Sequence, residues 1–362
     1  MTPYLIIYVA SIILAFFSQA KIPQILRKLL IVFLILTLSY LLLIRDSSIG
    51  TDTDNYITIF DTLGNDITAI ATLTALSIEP GFLLFSYVFK SIFENNYIVL
   101  FCFAIIFYTC YVQTAVKSNL NMVLFIAALF SYTSLYLMSF NILRQCMALA
   151  LIFFGSRYIL VGSNKKFIVT CLLAATFHYS ALICLLFIPI HRFRHVLYKF
   201  WFVVMAVVIS TSGIALTFLG SINERYSGYV ASSEDMSLPS FTFFSFYLFI
   251  FIFAILGIKI IKQNLRDEFK FYTIIYTVYI SFILFFYISG LTNQGLSRIT
   301  LYFAWPSIFI IDFALRSIDN KNSRYVFNIL IFSFLSLFFI YVLSLKGDAV
   351  IPFQTNNEIS FF

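Results

Sequence analysis

Residues 121–159 read NMVLFIAALFSYTSLYLMSFNILRQCMALALIFFGSRYI. Almost every side chain in this stretch is apolar, and its charged residues are Arg144 and, near the end, Arg157. A guanidinium stays charged in proteins, and holding one near hydrocarbon costs about 2.5 kcal/mol or more, so such residues usually line a cavity or a substrate path. The alternative is an arginine whose long side chain reaches the lipid headgroups. Because Asn141 and Gln145 extend the polar patch, we favour a polar site at Arg144.

The whole chain has the composition of an integral membrane protein. Of its 362 residues, 61% are hydrophobic and 11% are charged, whereas a soluble domain carries about 25% charged residues. The net charge of +7 therefore concerns membrane topology before nucleic acid. The five cysteines lie in apolar runs without metal-ligand spacing. We expect no metal site, no cofactor and no nucleic-acid partner.

The apolar runs predict an all-α polytopic membrane protein that forms a single membrane domain over residues 1–362. A spanning helix needs about 20 residues, because about 30 Å of hydrocarbon is crossed at 1.5 Å per residue. The ten candidate spans are Tyr4–Ala20, Ile25–Ile44, Tyr97–Ala115, Asn121–Met138, Ile142–Val161, Phe200–Leu219, Phe241–Ile261, Phe271–Leu291, Ile299–Leu315 and Val326–Leu345. Gly81–Phe93 is shorter, so we expect a re-entrant or interfacial segment there. Residues 167–190 have basic flanks on both sides, so we expect a helical hairpin that turns near His178.

Charged residues indicate the orientation of these spans. Positive residues favour the cytoplasmic side, and an external N-terminus places most of the 23 Lys and Arg residues inside. The remaining cations lie outside: Arg45, Lys90, Arg144, Arg225, Arg298 and Lys346. The 16 carboxylates influence insertion little, yet those placed inside are only Asp267, Glu268, Asp312 and Asp319. The others fall mostly in external loops at residues 45–80 and 221–240, which are either simply solvated or part of an external active site.

Under this topology, side chains suited to binding and proton transfer collect at the external face. Arginines grip phosphate through a planar fork, and a histidine or carboxylate can take a proton from a sugar hydroxyl. Tyrosine rings offer sugars an apolar face with a polar rim. The predicted catalytic residues are His178, Arg144, Glu79 and Asp52. The predicted substrate-binding residues are Arg298, Arg225, Asn141, Gln145, Tyr226, Tyr302, Asp54 and Tyr56.

Several of these residues also have a simpler explanation. Glu79 can cap a helix N-terminus, and His178 can be a hydrogen-bonded core histidine. Arg225 can be a solvated loop cation, and Arg298 can anchor a span at the interface. The Asp-x-Asp pair that begins at Asp52 is a weak metal motif. The combination indicates a site for a lipid-linked sugar phosphate on the external leaflet, with a proton-coupled transporter as the competing interpretation.

The motifs of the chain resemble those of the EpsG family, which are Wzy-like polymerases of bacterial exopolysaccharides and O-antigens. The most specific part is the Arg-Gln-x-x-Ala pattern that begins at Arg144, followed later by Phe-His-x-Ser-Ala at residues 177–181. Residues 52–56 and 79–81 add to the resemblance, and Arg298 with Tyr302 gives a weaker match to a later Arg-x-x-x-Tyr element. The resemblance covers most of residues 52–302.

The resemblance implies a fold similar to the integral-membrane C-type glycosyltransferases. It implies a glycosyltransferase, a Wzy-type polysaccharide polymerase, in the bacterial inner membrane with its active site facing the periplasm or exterior. Such an enzyme transfers a glycan from undecaprenyl pyrophosphate to the non-reducing end of another lipid-linked repeat unit. The implied partners are these donor and acceptor lipids, the bilayer and a chain-length regulator.

We expect Arg144, aided by Arg298 and Arg225, to bind the donor pyrophosphate. His178 is the favoured base, with Glu79 and Asp52 as rivals. Three other functions stay open. They are a C-type transferase that uses a polyprenyl-phosphate sugar, a ligase that moves glycan onto another acceptor, and a flippase for lipid-linked oligosaccharide.

Overall fold

A computed structural model of the chain describes residues 1–64, 67–75, 77–133, 135–222, 241–289, 294–345 and 349–356. Within these ranges every regular element is a helix, which confirms the all-α prediction. The helices long and apolar enough to cross a membrane are Gln24–Ile44, Asn96–Lys117, Leu143–Leu160, Gln263–Ser289, Arg298–Arg316 and Lys321–Ser344. The chain is therefore a polytopic membrane protein, and the count of ten spans stays a prediction.

The chain divides into two compact units, and the first comprises Met1–Ile183 and Asn328–Phe362. Its helices are α1 (Thr2–Ser18), α2 (Gln24–Ile44), α3 (Thr53–Leu63), α4 (Thr68–Ala75), α5 (Pro80–Phe93), α6 (Asn96–Lys117), α7 (Met122–Phe130), α8 (Leu135–Met138), α9 (Leu143–Leu160), α10 (Asn164–Phe177) and most of the last helix, Lys321–Ser344. In this unit α9 packs against both α6 and α10, and α5 packs against α3, α6 and α10. Helix α9, which carries Arg144, thus lies in the interior of the first unit, between α6 and α10.

Helices α9 and α10 form an antiparallel pair. The chain turns between them at Gly162, whose φ of +73° favours glycine. Close packing requires Gly155 on α9, because a Cβ there would lie 2.6 Å from the Thr170 Cγ2 atom of α10. Since the two helices run in opposite directions, the start of α9 and the end of α10 lie at the same end of the pair. Arg144 and His178 occupy these two positions.

The predicted span Asn121–Met138 is not one helix. It forms α7 and α8, with a break that includes Ser131–Thr133. The Thr133 hydroxyl donates to the carbonyl of Ala128 at 2.7 Å, and such local bonds compete with the helical pattern of the backbone. A run of hydroxyl residues inside an apolar stretch therefore interrupts the helix without a proline or glycine.

Two other predicted segments contain more structure than the sequence indicated. The segment 45–80, predicted as an external loop, carries two helices, α3 and α4. Residues 167–190 break at His178, which is extended, with φ −160° and ψ 114°. A 3₁₀ helix at Tyr179–Leu186 and a short helix at Phe187–Arg192 follow. Helix α10 thus ends at the predicted turning point, while the turn of the hairpin, its returning arm and the re-entrant placement of α5 stay predictions.

The second compact unit comprises Cys184–Phe327. Its helices are α11 (Phe187–Arg192), α12 (Arg194–Lys199), α13 (Trp201–Ile222), α14 (Phe241–Leu256), α15 (Arg266–Ser289), α16 (Gln294–Ala304) and α17 (Pro306–Arg316). Its core is aromatic: the rings of Tyr272 and Phe309 stack with centroids 4.3 Å apart, and Trp305 meets both edge-on. The predicted external loop at residues 221–240 lies almost wholly outside the described residues.

Candidate functional site

Three predicted catalytic residues meet in the first unit. One carboxylate oxygen of Glu79 accepts from Nη1 of Arg144 at 2.5 Å, and the other lies 2.8 Å from Nδ1 of His178. The Glu79 side chain is only 4% exposed, whereas those of Arg144 and His178 are 22% and 26% exposed. The Glu79 carboxylate is therefore buried among the helices, whereas the guanidinium and the imidazole are partly accessible from outside them. We call these three residues the Glu79 cluster.

Glu79 owes its position to the start of α5. It is the residue before the helix, in extended conformation, and Pro80 occupies the first helical position, where its lack of an N–H costs nothing. Gly81 then lets α5 approach the end of α10, because a Cβ on Gly81 would lie 2.2 Å from the hydroxyl oxygen of Thr176. This close approach is what brings Glu79 beside His178.

His178 ends α10 and is held by its own backbone. Its N–H donates to the Ala174 carbonyl, and its carbonyl accepts from the Ala181 N–H, each at 3.0 Å. An ionised carboxylate only accepts hydrogen bonds, so the contact with Glu79 assigns the proton to Nδ1. In the neutral ring Nε2 is then the basic nitrogen. The arrangement orients an imidazole in the way that a general base requires.

Arg144 is the second residue of α9, so its backbone is fixed at the start of a buried helix. Its guanidinium carbon lies 5.8 Å from the centre of the Phe82 ring, which is fully buried. The Tyr56 hydroxyl is a further hydrogen-bond partner of Arg144. The guanidinium is thus held by a carboxylate and a ring from the start of α5 and by a phenol from α3.

A second set of contacts fixes the residues just before α9. Asn141 accepts from the Thr51 N–H through its side-chain oxygen at 2.7 Å and from the Tyr56 hydroxyl through its carbonyl at 2.9 Å. Gly50 has φ +88°, and a Cβ there would lie 2.5 Å from the Phe140 carbonyl oxygen. The turn at residues 50–52 therefore packs directly on Phe140 and Asn141. Asn141 and Tyr56, predicted as substrate-binding residues, connect this turn to the start of α9, and their part in substrate binding stays a prediction.

Arg45 also contributes to the contacts before α9, although the sequence did not single it out. It follows α2 and is fully buried. Its Nη1 donates to the Phe140 carbonyl at 2.8 Å, while Nε and Nη2 have no hydrogen-bond partner among the described residues. In the sequence, a single cation after an apolar helix is typical of an exposed loop residue. Only the burial of Arg45 in the structure shows that it supports the backbone at Phe140.

The electrostatics of the cluster favour an ionised carboxylate. Burial of Glu79 acts to raise the pKa of its carboxyl, but the hydrogen bond with His178 and the positive charge of Arg144 outweigh it. The pKa of Glu79 consequently lies below its ordinary value. Glu79 is therefore suited to holding its two partners as an anion rather than to taking up a proton itself.

Three further predicted residues, Asp52, Asp54 and Gln145, also belong to the first unit. Asp52 precedes α3 and accepts from the neighbouring Thr51 hydroxyl at 3.3 Å. Asp54 is exposed in the first turn of α3, where a carboxylate stabilises the helix dipole. Gln145 follows Arg144 and is buried. The contacts of the Glu79 carboxylate therefore favour His178 over Asp52 as the residue poised for proton transfer.

The remaining predicted residues are outside this unit. Arg298 is half-buried and Tyr302 is fully buried, both on α16 of the second unit. They are four residues apart and so share one face of that helix. Arg225 and Tyr226 lie outside the described residues. The parts that these four residues play in substrate binding stay predictions.

Comparison with known proteins gives the family. Residues 28–355 match the EpsG family, and this range contains all three members of the Glu79 cluster. No curated protein and no solved structure matches the chain. The chain belongs to the EpsG family.

Proposed function

We propose that this member of the EpsG family is a polysaccharide polymerase that joins lipid-linked repeat units. It transfers a glycan from undecaprenyl pyrophosphate to the non-reducing end of a second lipid-linked unit, at the outer face of the bacterial inner membrane. The observation that carries the proposal is the Glu79 cluster, in which a guanidinium and an oriented imidazole share one buried carboxylate. An anion-binding group beside a proton acceptor is what transfer from a pyrophosphate to a hydroxyl requires.

In the proposed reaction, a hydroxyl oxygen of the acceptor sugar attacks the anomeric carbon of the donor sugar. The bond from that carbon to the pyrophosphate oxygen breaks, and the electron pair leaves with undecaprenyl pyrophosphate. Arg144 stabilises the negative charge on this leaving group through its planar fork. The hydroxyl proton passes to Nε2 of His178, and Glu79 stabilises the imidazolium through the bond to Nδ1. Arg298 and Arg225 are proposed as further contacts to the pyrophosphate.

An assay in detergent solution distinguishes a polymerase from a flippase, because a flippase has no bilayer across which to move lipid. The substrate is lipid-linked repeat unit extracted from cells of the same strain that lack this chain. We expect the purified chain to convert it into a ladder of products that differ by whole repeat units. Addition of single sugars would indicate the C-type transferase, and transfer to a different acceptor would indicate a ligase. If no new glycosidic bond forms, the flippase is the remaining alternative.

The first variant to test is Arg144→Ala, which should abolish the ladder, with Arg144→Lys nearly as damaging because an ammonium lacks the bidentate fork. Arg27→Ala, at an exposed arginine in the first turn of α2, is the matched control and should keep the wild-type ladder. A normal ladder from Arg144→Ala at wild-type abundance would remove Arg144 from the mechanism.

Metal dependence is tested in the same assay. The proposal needs no divalent ion, since arginines neutralise the pyrophosphate. If EDTA stops the reaction and Mn²⁺ or Mg²⁺ restores it, Asp52 and Asp54 become the candidate ligand pair.

A further inference from the structure

A cluster of cations and aromatic rings lies at the far end of α9 from the Glu79 cluster. Arg157 stands thirteen positions after Arg144, which places the two arginines about 20 Å apart along the helix. The guanidinium of Arg157 lies 3.8 Å from the centre of the Phe154 ring and 5.1 Å from that of Tyr158. Helix α9 is long and apolar enough to cross a membrane, so a spanning α9 places the two arginines toward opposite faces of the bilayer.

Two neighbouring helices add cations to the same rings. Lys117, in the last turn of α6, has its ammonium 5.6 Å from the Phe154 ring centre. Lys166, in the first turn of α10, has its ammonium 5.9 Å from the Tyr158 ring centre. Lys165 is adjacent in the sequence and exposed. We call Lys117, Arg157, Lys165 and Lys166, with the two rings, the basic aromatic cluster.

In the described part of the chain, these cations lack partners of opposite charge. Within the part of the chain that the structure describes, the ion pairs involve other residues, and none of these four cations takes part in one. Helix stability does not explain all of them, because Lys165 and Lys166 stand at the start of α10, where positive charge opposes the helix dipole. Arg157 shares the Phe154 ring with Lys117 and the Tyr158 ring with Lys166. Like charges gathered around the same rings repel one another, and an anion between them offsets this repulsion.

The chemistry of the cluster identifies the class of anion. Arginine and lysine bind phosphate, and rings stacked under a guanidinium fix its plane for a fork-like contact. At the end of spanning helices the phosphates within reach are those of the lipid headgroups, and basic clusters at such helix ends attract anionic lipids. We propose that the basic aromatic cluster binds the headgroup phosphate of an anionic phospholipid in the leaflet opposite the Glu79 cluster.

The site is separate from the one that carries the proposed function, so either can fail without the other. The probe is phosphatidylglycerol, added to the detergent-solubilised full chain and counted by native mass spectrometry, with phosphatidylcholine of the same acyl chains as reference. The test variant is Lys117→Gln/Arg157→Gln/Lys166→Gln. The matched control is Lys21→Gln/Arg27→Gln/Lys28→Gln, which removes the same charge from the end of the α1–α2 connection and the start of α2.

We expect wild type and control to retain phosphatidylglycerol over phosphatidylcholine, and the test variant to bind it at least about tenfold more weakly, since each cation near an anionic surface contributes about fivefold. Lys166→Gln alone, at an exposed position, should show a smaller loss and guards against misfolding of the triple variant. Equal losses in test and control would mean that general charge attracts the lipid, which overturns the proposal. Displacement of the lipid by millimolar inorganic phosphate would overturn it too, because the ligand would then be a free anion.

Discussion

At the scale of single residues, the decisive arrangement is the sharing of Glu79 between Arg144 and His178. The carboxylate is nearly inaccessible, and each of its oxygens has one of these partners. A buried carboxylate that already has two cationic or proton-donating partners is a poor base but a good support. From the sequence, Glu79 is a candidate for the catalytic base beside His178, and the geometry favours His178 for that role.

The low pKa of Glu79 predicts how stability depends on pH. A carboxyl whose pKa is lower in the folded state stabilises the fold fully above its ordinary value of 4.5 and loses this contribution as pH falls through the folded pKa. Glu79→Gln removes the charge and leaves Arg144 uncompensated. We expect this variant to have a lower Tm than wild type at pH 7 and the gap to close below pH 4.5. Thermal unfolding in detergent across this range measures it.

Glu94→Gln is the matched control for that measurement, since it removes an exposed carboxylate from the far end of α5. Its Tm should follow that of wild type at every pH. A gap between Glu79→Gln and wild type that is unchanged at acid pH would mean that the ion pair does not stabilise the fold.

We expect replacement of Arg45 to lower activity without lowering stability. Its buried charge has no carboxylate partner among the described residues, so Arg45→Met relieves a desolvation cost while it removes the bond to the Phe140 carbonyl. We expect the Tm to stay level or rise. Polymer formation should fall at least about tenfold, because small displacements of a catalytic group are that costly, and the loss should appear in kcat rather than KM.

A structural role alone would give a different result for Arg45. Activity and Tm would then fall together, and Arg45→Lys, which can still donate to the Phe140 carbonyl, would restore both equally. Arg27→Met, at an exposed arginine of α2, should leave both quantities at wild-type values.

At the scale of elements, the site depends on the crossing of α5 and α10. Gly81 is the contact point, and Thr176 is its neighbour. Glu79 stands two residues before this contact, and His178 stands two residues after it. Any side chain at position 81 must therefore push apart the two helices that hold the carboxylate and the imidazole together.

Gly81→Ala should accordingly damage the site more than the fold. The added Cβ would meet Thr176 side-chain atoms at 2.2 and 2.6 Å, and such overpacking typically costs about 1–3 kcal/mol. We expect a modest loss of Tm with a severe loss of polymer. Gly81→Ala/Thr176→Gly, which removes the two clashing side-chain atoms, should recover part of the activity.

Gly213→Ala is the matched control for this prediction, because a Cβ there would meet Phe285 only at an ordinary 3.9 Å. It should keep wild-type activity and Tm. If Gly81→Ala retained full activity, the close approach of the helices would not be what places Glu79.

At the scale of the whole molecule, the predicted topology places His178 on the exterior side and the start of α10 on the cytoplasmic side. Lys166 lies in the first turn of α10 and Tyr179 lies just beyond its C-terminal end, and both side chains are exposed. After replacement of the native cysteines, Tyr179→Cys should react with a membrane-impermeant maleimide in intact cells. Lys166→Cys should react only after lysis. Reaction of both positions from the same side would refute the predicted orientation.

The match to the EpsG family spans α2 to the C-terminal residues, and the structure gives those last residues a place in the first unit. The N–H of Asn356 donates to the Ile44 carbonyl, and the Asp46 N–H donates to the Gln354 carbonyl. The Tyr4 hydroxyl donates to the Val350 carbonyl at 2.7 Å. The C-terminal residues therefore support the connection that carries Arg45, which the sequence gave no reason to expect.

The sequence by itself determined that the chain is a helical membrane protein and where most of its long apolar helices lie, and it singled out Arg144, Glu79 and His178 as candidates for the chemistry. These conclusions are local, because hydrophobic length and an ionisable residue in apolar surroundings can be read along the chain. Tertiary structure alone decided that Glu79 is shared by Arg144 and His178, that Tyr56 and Asn141 brace the start of α9 and that Arg45 is buried. These facts depend on contacts between residues distant in the sequence, and residue types do not encode which atoms will meet.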